Sequence, residues 1–178
     1  MDGISEEMNR VTSKKKYQEL KGDNKSMEQQ SNEWWQYYLD RENSVITDLF
    51  QGQLVSRIVC KKCGNASLAF DNFLDISVSF PRSTIRITGR NDLESCLQTF
   101  IKKEQMEPCG FKCSKCKVED NFEKDMSIYR FPQVLVVHLK RFYKSFMRSE
   151  KINTMISVPQ ELDMRPFAPH SGNLLAHT

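Results

Sequence analysis

Two Cys-x-x-Cys pairs, Cys60-Lys61-Lys62-Cys63 and Cys113-Ser114-Lys115-Cys116, restrict the folds open to this chain more than any other feature. Two residues between cysteines let both thiolates turn onto one ion, and two such pairs complete the tetrahedral four-sulfur shell that zinc takes in closed structural sites. Forty-nine residues separate the pairs, whereas an ordinary zinc ribbon closes over about 15–20. The spacing therefore predicts a strand-and-helix insert between the knuckles, with the metal tying together two distant parts of a larger fold. The competing reading is of buried thiols at chance spacing.

A length of 178 residues fits one domain. Hydrophobic content of 39% beside 28% charged residues suits a globular chain with a sizeable core. The formal charge of +3 is too small to argue for nucleic acid, which asks for basic charge concentrated on one face. Four zinc-bound thiolates would shift even that excess by about −2. Met1-Asp2-Gly3-Ile4-Ser5-Glu6-Glu7 opens acidic and polar, unlike a signal peptide. No apolar run approaches the ~18 residues of a membrane span. Six cysteines in this setting suggest metal in a reducing, intracellular compartment, cytoplasmic or nuclear, rather than disulfides.

Residues 1–32 read as a helix tail, with Ile4, Met8 and Val11 on one face, then Lys14, Lys15 and Lys16 and a polar connector from Gly22 to Asn32. From Glu33 the chain turns aromatic, and Trp34, Trp35, Tyr37 and Tyr38 suit a short helix packed on a core. Ser44 is an N-cap for a second short helix carrying Val45, Ile46, Leu49 and Phe50. Leu54 to Val59 is strand-like and delivers Cys60. Phe73, Leu74, Ile76, Val78 and Phe80 predict one strand ended by Pro81. Asn91 to Glu94 looks like a capping box before a helix with Leu93, Leu97, Phe100 and Ile101 on one face and Cys96 in the core. Met126 to Tyr129 forms a strand leaving the second knuckle, and Val134 to Leu139 reads as a central, fully buried strand. The class is α+β.

Several of these stretches together resemble the ubiquitin-specific proteases, papain-like cysteine deubiquitinases. Asp2 to Val11 is similar to the stretch after that family's Gln-Gln-Asp-rich box, and Ser44 to Leu54 resembles its entry into the fingers. Phe73 to Val78, Leu93 to Phe100 and Val137-His138-Leu139-Lys140-Arg141-Phe142 resemble the next strand, the helix between the knuckles and a palm strand. The likeness runs in order over residues 1–167. It implies zinc-stapled antiparallel β fingers held by Cys60, Cys63, Cys113 and Cys116, a partial palm sheet with short helices over 33–167, no thumb, and a divergent tail at 168–178. It also implies ubiquitin or a ubiquitinated protein as partner, with neither nucleic acid nor membrane.

Thiol-dependent hydrolysis in that family needs a cysteine in an Asn-x-Gly-Asn-x-Cys box and a histidine in a Gly-His-Tyr motif, and these residues contain neither. Cys109, in Pro108-Cys109-Gly110, reads as a spare thiol or substitute ligand. His138, within the apolar strand, reads as a satisfied core or palm histidine, and His170 and His177 lie in the tail. No catalytic residue is assigned, and the chain by itself is expected to be inactive. The alternative of another class is a zinc-stapled scaffold or nucleic-acid-binding module without enzymatic activity.

Overall fold

The computed structural model describes residues 2–13, 16, 20, 25–81, 92–106, 110–119, 121–144 and 149–169. After the short helix α1 (Asp2–Glu7), Ser26 opens α2 (Met27–Leu39). The Ser26 hydroxyl accepts from the Gln29 N–H at 3.1 Å, and Gln29 Oε1 accepts from the Ser26 N–H at 2.9 Å. That capping box satisfies two otherwise orphaned donors. The connector expected from Gly22 to Asn32 is therefore corrected: its second half is helix. The helix is seated by polar contacts. Fully buried Ser31 donates to Gln53 Oε1 at 2.6 Å, and Arg130 Nε donates to Ser31 Oγ at 3.3 Å. The Arg130 guanidinium also lies 5.0 Å from the Trp35 ring centre. Ser44 caps α3 (Val45–Phe50) by accepting from the Thr47 N–H at 3.2 Å.

The strands follow as β1 (Gly52–Cys60), β2 (Ala66–Phe73) and β3 (Ile76–Ser79), then helix α4 (Leu93–Phe100). Beyond it come β4 (Glu104–Gln105), β5 (Phe122–Arg130), β6 (Val137–Lys140), β7 (Phe142–Lys144) and β8 (Ser149–Lys151), and a 3-10 turn at Arg165–Phe167. A four-stranded antiparallel sheet has the order β2-β1-β5-β4; β3 and β6 form a parallel pair, and β7 and β8 an antiparallel one. β1 pairs with β2 from Gly52↔Phe73 to Val59↔Ala66, and with β5 from Gln53↔Arg130 to Cys60↔Phe122. The two long strands thus run side by side from the body of the protein to the cysteines.

Three expectations change. The strand foreseen from Phe73 to Phe80 is two strands, because a bend at Leu74–Asp75 separates β2 from β3. The cap of α4 is Asp92, whose Oδ1 accepts from the Ser95 N–H at 2.8 Å, while Glu94 accepts from Gln98. A carboxylate at that position also meets the positive end of the helix dipole; Asn91 lies outside the described residues. The central, fully buried strand at Val134–Leu139 is instead the short β6, with β3 as its partner and Val134 46% exposed. A β-branched run signals extended backbone without stating how many neighbours it will have.

The main core gathers Ile76, Val78, Cys96, Leu97, Ile128 and Phe167, all at most 2% exposed. Cys96 is buried there as expected, and burial raises its thiol pKa. Arg141 lies over the Phe80 ring and donates to the carbonyls of Ile152 and Thr154, holding the returning segment against the core. No helix among the described residues is long and apolar enough to cross a membrane.

Candidate metal centre

β1 ends on Cys60, and the backbone then folds into a knuckle. The Gly64 N–H donates to the Cys60 carbonyl at 2.8 Å, and the Cys60 N–H donates to the Asn65 carbonyl at 2.9 Å. The second knuckle repeats this pattern residue for residue. Lys117 N–H donates to the Cys113 carbonyl at 3.0 Å, and Cys113 N–H to the Val118 carbonyl at 2.9 Å. In both, the residue after the second cysteine takes the left-handed conformation, φ +70° at Gly64 and +60° at Lys117. Only glycine does this without steric cost.

The knuckles are braced against each other. Asn65 Nδ2 donates to Ser114 Oγ at 3.3 Å, and the Lys61 N–H donates to the Asn121 carbonyl at 3.0 Å. Flanking the second knuckle, Lys112 and Glu119 form a bridge and an ion pair of 2.7 Å. The result is that the sulfurs of Cys60, Cys63, Cys113 and Cys116 all lie within 4.8 Å of one another. Cys60–Cys116 and Cys63–Cys113 are each separated by 3.6 Å. A tetrahedron with metal–sulfur bonds of about 2.3 Å has edges of roughly 3.8 Å. The spacing and the all-sulfur donor set therefore fit a closed structural site, with no position left for water or substrate.

Beneath the sulfurs sits Phe122, with Ile58, Met106 and Val118 packed around it and Phe111 edge-on at 4.8 Å between ring centres. Cys60 and Cys113 are buried, while Cys63 and Cys116 are half-buried. The protons are unevenly held. Donation from the backbone of Cys116, aided by that of Lys115 and by the neighbouring thiols, brings Cys113 down to about 6. At Cys63 the Asn65 amide pulls the other way, but burial and the three surrounding sulfurs hold it at about 11. A divalent cation held by all four sulfurs would require each of them to shed its proton.

The remaining candidates lie apart. Cys96 is in the core at the other end of the sheet. His138 is on the exposed face of β6 rather than in a core, where its Nδ1 is 3.2 Å from Ser77 Oγ; Ser77 in turn reaches Asp75 at 3.5 Å. Among the described residues no hydrogen bond joins a cysteine to a histidine. Cys109, His170 and His177 lie outside the described residues. Sequence reasoning missed Phe122 and the two left-handed residues. Gly64 could have been found from Cys-x-x-Cys-Gly, but Lys117 carries no such signal.

A family model described as ubiquitin carboxyl-terminal hydrolase matches residues 1–175. Ubiquitin carboxyl-terminal hydrolase 2 of Gallus gallus is 36% identical over 175 residues, covering 97% of this chain and 48% of that protein. The Homo sapiens protein of the same name is also 36% identical over 97% of this chain, which spans 28% of its length. The chain thus spans at most about half of these relatives. Among solved structures, a SAGA DUB module of Ubp8, Sgf11, Sus1 and Sgf73 bound to monoubiquitin aligns with a TM-score of 0.64 and 31% identity, over 79% of this chain and 32% of that one. The same module bound to ubiquitin aldehyde aligns at 0.65 and 27% identity, over 82% and 32%. With four cysteines closing the tip of an antiparallel sheet, and a match running from the first residue nearly to the last, the chain belongs to the ubiquitin carboxyl-terminal hydrolase family, as part of a ubiquitin-specific protease catalytic domain.

Proposed function

We propose that this chain supplies the zinc-bound fingers and part of the palm of a ubiquitin-specific protease, an intracellular enzyme that removes ubiquitin from proteins by thiol-dependent hydrolysis. The carrying observation is the four-sulfur cluster at the far end of the β1–β5 pair, in a chain with family likeness over residues 1–175. Zinc would be structural, held by Cys60, Cys63, Cys113 and Cys116. It would stiffen a strand pair whose tip has little apolar core of its own.

The partner is ubiquitin, in keeping with the neighbouring structures that contain it; nucleic acid and membrane have no part in this reading. These residues contain no Asn-x-Gly-Asn-x-Cys box and no Gly-His-Tyr motif. The chain alone therefore presents a ubiquitin-contacting surface and does not hydrolyse conjugates, since losing both nucleophile and base leaves only binding effects. Without a cleft to clamp ubiquitin's C-terminal tail, its affinity is on the order of ~100 μM or poorer.

The test is a titration of isotope-labelled ubiquitin with the zinc-loaded chain, beside a fluorogenic ubiquitin C-terminal substrate. Saturable shifts without turnover are expected. Turnover that disappears in Cys96→Ala or Cys109→Ala would overturn the inactive reading. Absence of shifts at millimolar concentrations would overturn the ubiquitin-contacting one.

A further inference from the structure

We infer that the four-cysteine cluster is also a peroxide-responsive switch, in which oxidation closes the cross-knuckle disulfides Cys60–Cys116 and Cys63–Cys113 and discharges the metal. The release of zinc rests on the occupancy proposed above; the pairing rests on the geometry of the sulfurs alone.

Both 3.6 Å contacts run between the knuckles, Cys60 to Cys116 and Cys63 to Cys113. Each joins one buried sulfur to one half-buried sulfur: Cys60 and Cys113 are 1% and 2% exposed, whereas Cys63 and Cys116 are more open. That asymmetry divides the labour. A small peroxide arriving from solvent meets Cys63 or Cys116 first. The attacked sulfur bonds to one peroxide oxygen as the O–O bond breaks, giving a sulfenic acid and hydroxide. The buried sulfur facing it from the other knuckle then attacks the sulfenic sulfur and expels a second hydroxide, leaving a disulfide. For the whole cluster, four thiolates and two hydrogen peroxides give two disulfides and four hydroxides. With no thiolate left, the cation has no ligands.

The product keeps the knuckles joined. Closure within a knuckle would instead leave no sulfur link between them, only hydrogen bonds such as Asn65 Nδ2 to Ser114 Oγ. A disulfide holds its sulfurs at about 2.05 Å, so each cross-knuckle pair draws together, and the tip exchanges one metal staple for two shorter covalent ones. Cys96, fully buried in the main core, has no cysteine beside it among the described residues and serves as an internal control.

The sequence makes the pairing readable. Lys61, Lys62 and Lys115 stand between the cysteines of each pair, so trypsin places all four on separate peptides. The zinc-loaded 178-residue chain is treated with hydrogen peroxide while a chromophoric chelator reports released zinc, and tryptic peptides are mapped without reduction. One zinc released per two peroxides is expected, with Cys60–Cys116 and Cys63–Cys113 peptides, Cys96 still reduced, and reversal by dithiothreitol. In Cys116→Ser, the Cys63–Cys113 link alone should form and Cys60 should stay free. Cys60–Cys63 or Cys113–Cys116 peptides would overturn the inference, as would sulfinic acids without disulfides. If elemental analysis finds no zinc before oxidation, the occupancy fails separately, and mapping the metal-free chain still decides the pairing.

Discussion

At one end of the long sheet, Leu54 of β1 faces Ile128 of β5, and Ile128 is buried among Ile76, Val78, Cys96, Leu97 and Phe167. At the other end, Cys60 faces Phe122, and among the described residues the buried cluster there has only Cys113 besides these two. The same two strands therefore pass from a region held by apolar packing to one where two of the three buried side chains are sulfur donors. A fully buried leucine is worth about 1.5–3 kcal/mol, and the tip has none among the described residues. If the proposed metal makes up what the tip lacks in apolar area, the two ends should fail independently and under different insults.

The largest effect should come from Cys113→Ser. Structural zinc sites bind with apparent free energies of about 10–16 kcal/mol in zinc-finger peptides, and a three-sulfur site forfeits much of that. Zinc content should fall to background, and amide exchange should accelerate at Ile58 to Cys60 and Phe122 to Lys124. The amides of Leu97 and Ile128 should stay protected. Equal loss of protection at both ends would show that the sheet is one cooperative unit. Acid should act in the same direction, because the ligands must shed protons to bind: zinc leaves as pH falls.

Leu97→Ala should give the converse. Its side chain is 1% exposed in the main core, so removing it costs about 2–5 kcal/mol. The melting temperature should drop while zinc stoichiometry holds at one, and zinc loss in this variant would tie the tip to the core.

A smaller effect separates the two knuckles. Their hydrogen bonding is the same, but φ +60° falls on Lys117 in one and φ +70° on Gly64 in the other. Lys117→Gly should therefore tighten zinc binding by about 1 kcal/mol, roughly fivefold. Gly64→Ala should loosen it to a similar degree, and since an added Cβ there meets nothing within 4 Å, the cost is purely of the backbone. Competition with a chelator of known affinity measures both, and unchanged values would mean that the knuckle relaxes at no cost.

The smallest lies far from the metal. Hydrogen bonding from Arg10 lowers the Asp48 carboxyl pKa, with a closest approach of 2.7 Å, and this pair ties the segment after α1 to α3. A lowered folded-state value contributes stability above the ordinary carboxylate range, lost as pH falls through the lowered value. The pair is about half exposed, so solvent screening keeps its contribution small. Arg10→Gln should flatten that part of the acid-unfolding curve without changing zinc content; an unchanged curve would remove the pair from the balance.

What could be read beforehand was what short-range chemistry writes. The Cys-x-x-Cys pairs, the Ser44 cap and the apolar face of α4 each follow from spacing within a few residues. The start of α2 is written too, in the capping box of Ser26-Met27-Glu28-Gln29, but the first turn after it is polar and carries no apolar periodicity to mark a helix. The hidden parts were those decided by neighbours. Nothing within Val134 to Leu139 says that β6 will have β3 as its strand partner among the described residues, and nothing in Phe73 to Phe80 marks the bend at Leu74–Asp75. At the candidate metal centre, the four cysteines that come together were legible because their spacing within each pair is short-range chemistry. The left-handed Lys117 was not, because a lysine reaches that conformation only when its surroundings impose it.

Between Gln53 and Leu54 the register of β1 against β5 shifts, passing from Arg130 to Ile128 and leaving Tyr129 as the extra residue. Tyr129 leans edge-on against Phe70 of β2 at 5.5 Å between ring centres. A bulge bends its strand and adds twist, and this one sits at the root of an arm. From Leu54 to Cys60 the strand reaches about 20 Å, so a rotation of about 6° at the bulge carries the tip by roughly 2 Å. A metal at the tip would tie the two knuckles together and have no leverage over the heading of the strands. The heading belongs to Tyr129 and Phe70, two aromatic rings outside the cysteine cluster that act as the elbow from which the whole arm is pointed.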